Sequence, residues 1–401
     1  MTVQQICARP RETAPPAIGV TLIVLALACG GFAIGVGEFA VMGLLPEVAA
    51  GFKASVPAAG YVITAYAAGV VVGAPLIAIA AAKVSRRALL LALMSVFIIG
   101  NLASAAAPNL GALIALRFLS GLPHGAYIGV AALVAASLAP LYRRTQMVGY
   151  VMLGFTLAML VGTPVLALFG QMLSWRLMFF ADGLIGALTF TLIAIYLPRD
   201  KPHAQASVGR ELIAFTRPQV LLTLLLVASG FGGMFAILSY IAATATDYAH
   251  MPVVMVPVIL VLFGLGTNCG NLLGSKLADR SLMGTIGGML AFNVVVMTVF
   301  GLTARWPAAL CVTTFLLGNG FAAAPAVQSR LMDVAREGQT LAAASMHSAF
   351  NIANAIGAWL GGCVIAAGLG YPATGYVGAL LSLFGLVVFA ALLRMDKAAA
   401  P

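Results

Sequence analysis

The sequence predicts an all-α membrane protein with twelve transmembrane helices in two pseudo-symmetric six-helix bundles. Hydrophobic residues occupy 62% of the 401 positions and charged residues only 8%, whereas soluble domains carry about 25% charged residues. Twelve apolar runs follow one another, and one long polar segment separates the first six from the last six. Lipid must therefore be the solvent of most of the chain.

The twelve apolar runs, numbered here as spans 1 to 12, are each long enough to cross a hydrocarbon core of about 30 Å. The first run is too long for a signal-peptide core, so we interpret it as a retained span. The predicted limits are 18–46, 57–82, 88–106, 110–139, 145–173, 177–197, 219–246, 252–278, 284–303, 307–331, 341–368 and 374–393. These limits divide the chain into an N-terminal tail (1–17), an N-terminal bundle (18–197), a linker (198–218), a C-terminal bundle (219–394) and a C-terminal tail (395–401).

The two halves of the chain resemble each other at an offset of 197 residues. Segment 118–121 (FLSG) corresponds to 315–318 (FLLG), and segment 78–83 corresponds to 275–280. Together with the central linker, these short matches indicate an internal duplication. Two parallel six-helix repeats are an architecture found in membrane transporters.

The basic residues are distributed unevenly between the two predicted membrane faces. Seventeen of the 21 Lys and Arg residues fall in segments on the side of the N-terminus, three (Lys53, Arg176 and Arg305) fall in the opposite loops, and Arg117 lies within a span. The positive-inside rule therefore predicts that both termini and the linker are cytoplasmic. The same distribution accounts for the net charge of +10 without a nucleic-acid partner.

Glu38 and Arg117 are the best-matched opposite charges inside the predicted spans. An ionisable group in hydrocarbon is expensive unless it is paired or hydrated. Glu38 lies about eight residues before the outer end of span 1, and Arg117 lies about seven residues after the outer start of span 4, so both are roughly 10–12 Å below the outer surface. This depth favours direct pairing or a shared water-filled cavity. The pair either exchanges protons during transport or locks the two helices together.

Asp182 and His124 are two further candidates for proton coupling. Asp182 lies about six residues inside span 6, where it can also pair with Arg176, or cap or bend its helix. His124 follows Arg117 by seven residues and so lies on the same helical face, nearer the midplane. Its alternative role is that of a neutral ring bonded to a backbone carbonyl.

His347, Asn351 and Asn354 form a polar stripe at positions i, i+4 and i+7 of span 11. Such a stripe either lines a cavity or joins helices by hydrogen bonds. The chain contains no GxxxxGK[ST], HExxH or CxxC pattern, so we expect no nucleotide-driven step, no enzymatic activity, no cofactor and no metal site.

Several segments resemble motifs of one transporter family. They are 35–46 (GVGEFAVMGLLP) in span 1, 117–121 (RFLSG) in span 4, 154–170 in span 5, 275–280 (SKLADR) after span 8, and 348–362 in span 11. Over essentially its full length the chain resembles the major facilitator superfamily. Within it, the chain looks like the twelve-span drug:proton antiporter branch that includes arabinose/sugar-efflux and chloramphenicol-resistance permeases.

The chain departs from the family pattern at three places. Thr163 stands where a second glycine is common in the span 5 motif, and the loop after span 2 reads Ala82-Lys83 where an Asp-Arg pair is expected. Segment 240–243 in span 7 lacks an expected proline. The second departure puts in doubt the contact between helices that the loop after span 2 usually makes in this family.

The resemblance implies proton-coupled efflux of a small organic solute, such as a drug, a sugar or a related metabolite, by alternating access. The alternatives are a uniporter or importer with the same fold and a non-transporting membrane sensor. We expect a monomer in a bacterial inner membrane, whose partners are the solute, protons and the lipid bilayer. From their positions inside the spans we assign proton coupling or substrate binding to Glu38, Arg117, His124 and Asp182, and the resemblance adds a coupling role for Arg117. The resemblance also implies that spans 1, 4, 7 and 10 line the cavity. The expected cavity-lining residues are Met42, Tyr127, Phe235 and Tyr240, together with His347, Asn351 and Asn354 of the span 11 stripe, and Asp279 and Arg280 are expected to form a gate loop.

Overall fold

The computed structural model of the chain describes residues 17–54, 56–80, 83–200, 209, 213, 215–336 and 338–399. These residues form helices and no strand. Twelve helices within them are long and apolar enough to cross a membrane, and they are Gly19–Leu44, Ala58–Ile77, Arg86–Ala105, Leu110–Ser137, Arg144–Met172, Trp175–Tyr196, Pro218–Leu238, Val256–Arg280, Leu282–Thr303, Pro307–Ala335, Gln339–Ala366 and Ala373–Lys397. The predicted fold class is confirmed, and each predicted span overlaps one of these helices.

The predicted domain limits stay predictions. Most of the N-terminal tail, most of the linker 198–218, and Ala82 in the loop after span 2 lie outside the described residues. At the start of the linker, Asp200 accepts hydrogen bonds from the backbone N–H groups of Arg86 and Arg87, at 2.8 and 3.1 Å. A carboxylate at the first turn of a helix is favourable there, so it ties the end of span 6 to the start of span 3.

Five of the described spans, 1, 4, 5, 7 and 10, are interrupted, and the breaks of spans 1, 4 and 5 lie near the candidate residues. The α-helix of span 1 ends at Phe39 and continues as a 3₁₀ turn, Ala40–Leu44. Span 4 is divided at Leu122, directly before Pro123, whose ring removes a backbone donor. Span 5 widens into a π turn at Ala158–Gly162. Turns of this kind are frequent at functional sites, and those of spans 1 and 4 directly flank Glu38 and His124.

The internal repeat is visible in the helix packing. A Cβ added to Gly69 would collide with the carbonyl oxygen of Phe118, and a Cβ added to Gly266 would collide with that of Phe315. Both members of the second pair lie 197 residues after those of the first. Small residues let the backbones of membrane helices approach closely, so the same packing between spans 2 and 4 recurs between spans 8 and 10.

The two halves meet along two seams. Span 5 packs against span 8, and span 11 packs against spans 2 and 4. In the second seam, a Cβ on Gly125 or Gly129 would lie only 2.7 or 2.6 Å from the backbone of Ala344. The seam is therefore a close backbone-to-backbone contact that admits only glycine on span 4.

Polar contacts close the face of the protein that carries most of the basic residues, which we call the basic side. Arg144 at the start of span 5 forms an ion pair of 2.6 Å with Asp333 at the end of span 10. One turn further in, the Asn271 side chain donates to the carbonyl of Gly149 at 2.8 Å. These contacts join the two halves, so the basic side is closed in this structure.

Polar contacts on the opposite side join residues of the same half. The Gln171 side chain donates to the carbonyl of Gly43 at 3.1 Å, within the N-terminal half. The Tyr371 hydroxyl donates to Asp247 at 3.1 Å, within the C-terminal half. The contacts between the halves are therefore concentrated toward the basic side.

Candidate functional site

Glu38 occupies the last full turn of the span 1 helix, next to the 3₁₀ turn. Its side chain is 10% exposed, and Oε2 lies 3.9 Å from His124 Nδ1. His124 itself is fully buried. The carboxyl group is thus at the edge of the protein interior, with an imidazole behind it.

Arg117, on span 4, is fully buried and contacts Gly37, the residue of span 1 that precedes Glu38. Its Nη2 donates to the carbonyl oxygen of Gly37 at 2.6 Å, and the guanidinium lies over the Tyr66 ring at 4.2 Å. No carboxylate of the described residues comes within 4 Å of it, and its Nε and Nη1 have no hydrogen-bond partner there. Of the two expected arrangements, direct pairing with Glu38 is not formed, because the arginine bonds the neighbouring carbonyl, and the shared water-filled cavity stays a prediction.

Asp182 is the second buried carboxyl group near Arg117. It is fully buried, and a Cβ on Gly37 would lie 2.7 Å from its Oδ2. Neither of its oxygens has a hydrogen-bond partner among the described residues. The suggested pairing with Arg176 is wrong, because Arg176 donates to the Ala107 carbonyl at 3.0 Å and stacks on Trp175. Asp182 and Arg117 thus both approach Gly37 of span 1.

His124 contacts side chains rather than the backbone carbonyl considered as its alternative partner. Its Nδ1 lies 3.3 Å from the Tyr66 hydroxyl, and its Nε2 lies 3.1 Å from His347 Nδ1. His124 is on span 4 and His347 is on span 11, so this hydrogen bond joins the two halves. The ring of Phe155 packs against both imidazoles, with centroids 5.8 and 5.9 Å away.

The remaining residues of the span 11 stripe make local contacts. The Asn351 side chain donates to the carbonyl of His347 in its own helix, at 3.1 Å, and Asn354 is partly buried. Within the stripe, His347 is therefore the residue that joins helices. The cavity-lining role proposed for the two asparagines stays a prediction.

Four other residues were expected to line the cavity. Met42 is 39% exposed, whereas Tyr127 is fully buried and donates to the Leu27 carbonyl at 3.1 Å. Phe235 packs against Phe350, and the partly buried Tyr240 donates to the Ala358 carbonyl at 2.9 Å. In this structure Tyr127 therefore fills the space between spans 1 and 4 instead of facing a cavity.

Asp279 holds the end of span 8 against the start of span 5. Its two carboxylate oxygens accept from the backbone N–H groups of Thr145 and Gln146, at 2.8 and 2.9 Å. This contact with the N-terminus of the span 5 helix joins the two halves. Arg280 is exposed and forms no ion pair with the described residues. The gating role of both residues stays a prediction.

Sequence reasoning missed most of the aromatic part of the site. Tyr66 joins Arg117 to His124. In the C-terminal half, the ring of Phe350 lies 5.2–5.6 Å from those of Phe231, Phe235 and Phe321, and of these four only Phe235 was predicted. Aromatic residues are common in membrane spans and carry no charge, so no sequence signal separates these from lipid-facing ones.

Fold and site together define a polytopic membrane transporter, and comparison with known proteins gives its family. The family model of the Major Facilitator Superfamily matches residues 27–336. The inner membrane transport protein YdhP of Escherichia coli (strain K12) is 40% identical over 366 residues, which is 91% of this chain and 94% of the relative. The chloramphenicol resistance protein of Streptomyces lividans is 31% identical over 369 residues, covering 90% and 92%.

The chain therefore belongs to the major facilitator superfamily, and it is a secondary transporter rather than an enzyme. The resemblance noted from its motifs is confirmed at the level of the family. The crystal structure of FucP in the outward conformation has a similar fold, with a TM-score of 0.76, 16% identity, and coverage of 93% of this chain and 99% of that one. At this identity the likeness concerns the fold alone.

Proposed function

We propose that the protein exports a small organic solute across the bacterial inner membrane in exchange for protons, by alternating access. The observation that carries the proposal is the position of Glu38. It is a carboxyl group at the edge of a buried network of Arg117, Tyr66 and His124, inside a helix that is otherwise apolar. A carboxyl group placed in this way can gain and lose a proton without leaving its helix, and ionisable residues inside membrane helices are typical of proton pathways.

The closed basic side supports the direction of the proton movement. We place the basic side in the cytoplasm, because 17 of 21 basic residues belong to it. With that side sealed by Asp279 and the Arg144–Asp333 pair, Glu38 is reached from the periplasm. Movement of one proton from the periplasm to the cytoplasm releases about 2.3 kcal/mol of free energy for each 100 mV of membrane potential.

The aromatic cluster supports a largely apolar solute. The rings of Phe231, Phe235 and Phe321 each pack against that of Phe350 in the C-terminal half, and all four side chains are buried. Ligand sites lined by aromatic side chains with a few polar groups favour ligands of that composition. The chloramphenicol resistance protein among the relatives agrees with such a solute. A sugar would need more hydrogen-bond partners than this cluster offers.

Everted membrane vesicles provide the test of the proposed function. Respiration acidifies the vesicle lumen, and a solute exchanged for protons then releases part of that gradient, which a pH-sensitive dye reports. We expect chloramphenicol to release protons in vesicles that contain the wild type and not in those with Glu38→Gln, and arabinose to have a smaller effect. Solute uptake that is equal with and without a pH gradient would indicate a uniporter instead.

A further inference from the structure

A chain of proton-binding groups crosses from the N-terminal half to the C-terminal half. It runs from Glu38 to His124 Nδ1 over 3.9 Å, and from His124 Nε2 to His347 Nδ1 over 3.1 Å. At its far end, His347 Nε2 is buried and has no hydrogen-bond partner among the described residues. The chain thus starts at a carboxyl group at the edge of the interior and ends at an unpartnered nitrogen in the other half.

The chemistry of imidazole allows a proton to pass along this chain. A neutral ring carries one N–H, so a proton that arrives at one nitrogen can be balanced by the loss of a proton from the other. Before transfer, Glu38 carries a proton, and both histidines carry theirs on Nε2. Glu38 gives its proton to His124 Nδ1, and His124 Nε2–H passes to His347 Nδ1. Glu38 is then an anion, His124 is neutral, and His347 is a cation that holds the transferred proton.

The Tyr66 hydroxyl can hydrogen-bond His124 Nδ1 both before and after proton transfer. Its hydroxyl lies 3.3 Å from His124 Nδ1 and 3.5 Å from the carbonyl oxygen of Ile34. It can donate to a bare Nδ1, or accept from Nδ1–H while it donates to Ile34. The first step requires Glu38 Oε2 to approach Nδ1 by about 1 Å to reach hydrogen-bond distance.

The surroundings of the chain stabilise the anion that transfer leaves on Glu38, and they leave the cation on His347 without a counter-charge among the described residues. The Arg117 cation lies over the Tyr66 ring and bonds the residue before Glu38, so it stabilises the Glu38 anion left behind. Asp182 is the other buried carboxyl group here, and its Oδ2 would lie 2.7 Å from a Cβ added to Gly37. His347 forms no ion pair with the described residues, and the ring of Phe155, in span 5 of the N-terminal half, packs against it.

We propose that His347 is a coupling residue that receives the proton of Glu38 through His124 and carries it with the C-terminal half. This inference rests on the proposed function, in which Glu38 takes up the proton. The connection exists only while the basic side is closed, when His347 Nε2 is buried. A buried cation with an unpartnered N–H is unfavourable, so proton transfer favours opening of the basic side, which breaks the chain and exposes the proton for release.

The test measures how the conformation of the full-length protein depends on pH, with no solute present. Spin labels at Met172→Cys and Leu369→Cys, in an otherwise cysteine-free chain in lipid nanodiscs, report the separation of the two halves on the opposite side. Both native residues are exposed, at 71% and 66%. For one coupled proton, the ratio of the two populations changes by up to about tenfold per pH unit. We expect acidification to shift the wild type toward the state closed on the opposite side.

His347→Asn is the decisive variant, because an amide can hydrogen-bond His124 but cannot hold the extra proton. We expect the pH dependence to fall to less than a third of the wild-type slope, and His347→Gln to behave in the same way. A purely structural role would move the populations equally at all pH values and leave the slope unchanged. The matched control is His250→Asn, because His250 is exposed and has a left-handed backbone with φ 52° that asparagine tolerates.

The outcomes separate this inference from the proposed function. If the populations of His347→Asn depend on pH as strongly as those of the wild type, while those of Glu38→Gln do not depend on pH, proton transfer to His347 is overturned and Glu38 remains the proton site. A wild type that does not respond to pH at all would overturn both. A slope lost in His347→Asn and Glu38→Gln but kept in His250→Asn would support the relay.

Discussion

At the scale of single residues, the site depends on how the protein accommodates a buried cation. Arg117 has one short hydrogen bond, to the carbonyl of Gly37, and two aromatic neighbours, Tyr66 and Phe179, at 4.2 and 5.4 Å. A planar guanidinium can donate to a carbonyl and stack on a ring at the same time, whereas an ammonium group cannot. The identity of this residue therefore matters beyond its charge.

The corresponding prediction concerns Arg117→Lys. We expect the variant to insert into the membrane but to lose at least tenfold of its pH-driven transport, because the bond to Gly37 and the stacking on Tyr66 cannot both be kept. Uptake of chloramphenicol into everted vesicles at matched protein levels measures this loss. Arg176→Lys is the matched control, since Arg176 likewise bonds one carbonyl, that of Ala107, and stacks on an aromatic ring, but lies at a helix end away from Glu38. Equal losses in the two variants would argue against a special role for Arg117.

The charged residues of the site were predictable from sequence, and their partners were not. Glu38 and Arg117 stand out because hydrocarbon excludes charge, and their similar depth follows from counting residues. Depth does not fix the rotation of a helix, so the expected ion pair was replaced by a bond to Gly37. Tyr66 is neutral and His347 lies 223 residues from His124, so only the packing of spans 2, 4 and 11 reveals the network.

At the scale of helices, glycine contacts determine how closely the spans approach. Gly69→Ala places a methyl group against the carbonyl of Phe118 in span 4, and such overpacking costs about 1–3 kcal/mol. Gly60→Ala in the same helix is the control, because nothing lies within 4 Å of its added Cβ. We expect a lower thermal unfolding temperature for purified Gly69→Ala and an unchanged or higher one for Gly60→Ala. A similar unfolding temperature in both variants would mean that spans 2 and 4 accommodate the added methyl group without strain.

Asp279 gives the second prediction for helices. Its carboxylate caps the first turn of span 5 from the other half, so Asp279→Ala removes two hydrogen bonds and a favourable charge at a helix N-terminus. We expect the state open on the basic side to become several-fold more populated, as measured by spin-label distances. Asp247→Ala, which removes a carboxylate on the opposite side within one half, serves as the control. No change in the distances for Asp279→Ala would contradict its role as a gate.

The segmentation into helices was predictable because lipid imposes one rule on every span, namely about 20 apolar residues with internal hydrogen bonds. The limits of span 6, for example, were predicted as 177–197 and are Trp175–Tyr196. The breaks were less predictable. The π turn at Ala158–Gly162 packs closely against span 1, where a Cβ added to Gly162 would collide with the side chains of Val36 and Phe32, and local sequence does not report that packing.

At the scale of the whole molecule, the orientation in the membrane follows from the distribution of basic residues. We predict that a membrane-impermeant maleimide labels Leu369→Cys in intact cells and does not label Tyr142→Cys, in a cysteine-free chain. Both positions are exposed, at 66% and 70%, and they lie on opposite sides of the protein. Labelling of Tyr142→Cys from outside, without permeabilisation, would reverse the proposed orientation and with it the direction of transport.

The whole account depends on a proton that drives solute movement through Glu38, and uphill transport in sealed proteoliposomes tests this most directly. The measurement compares chloramphenicol accumulation driven by an imposed pH gradient with solute-for-solute exchange at equal pH. It is made on the wild type, Glu38→Gln and Glu47→Gln. Glu47→Gln is the control, because it removes a carboxyl group from the short helix Leu45–Gly51. We predict that Glu38→Gln loses accumulation but keeps exchange, because glutamine preserves size and hydrogen bonding but cannot titrate, and that Glu47→Gln keeps both. Accumulation at the wild-type rate by Glu38→Gln would contradict the central claim.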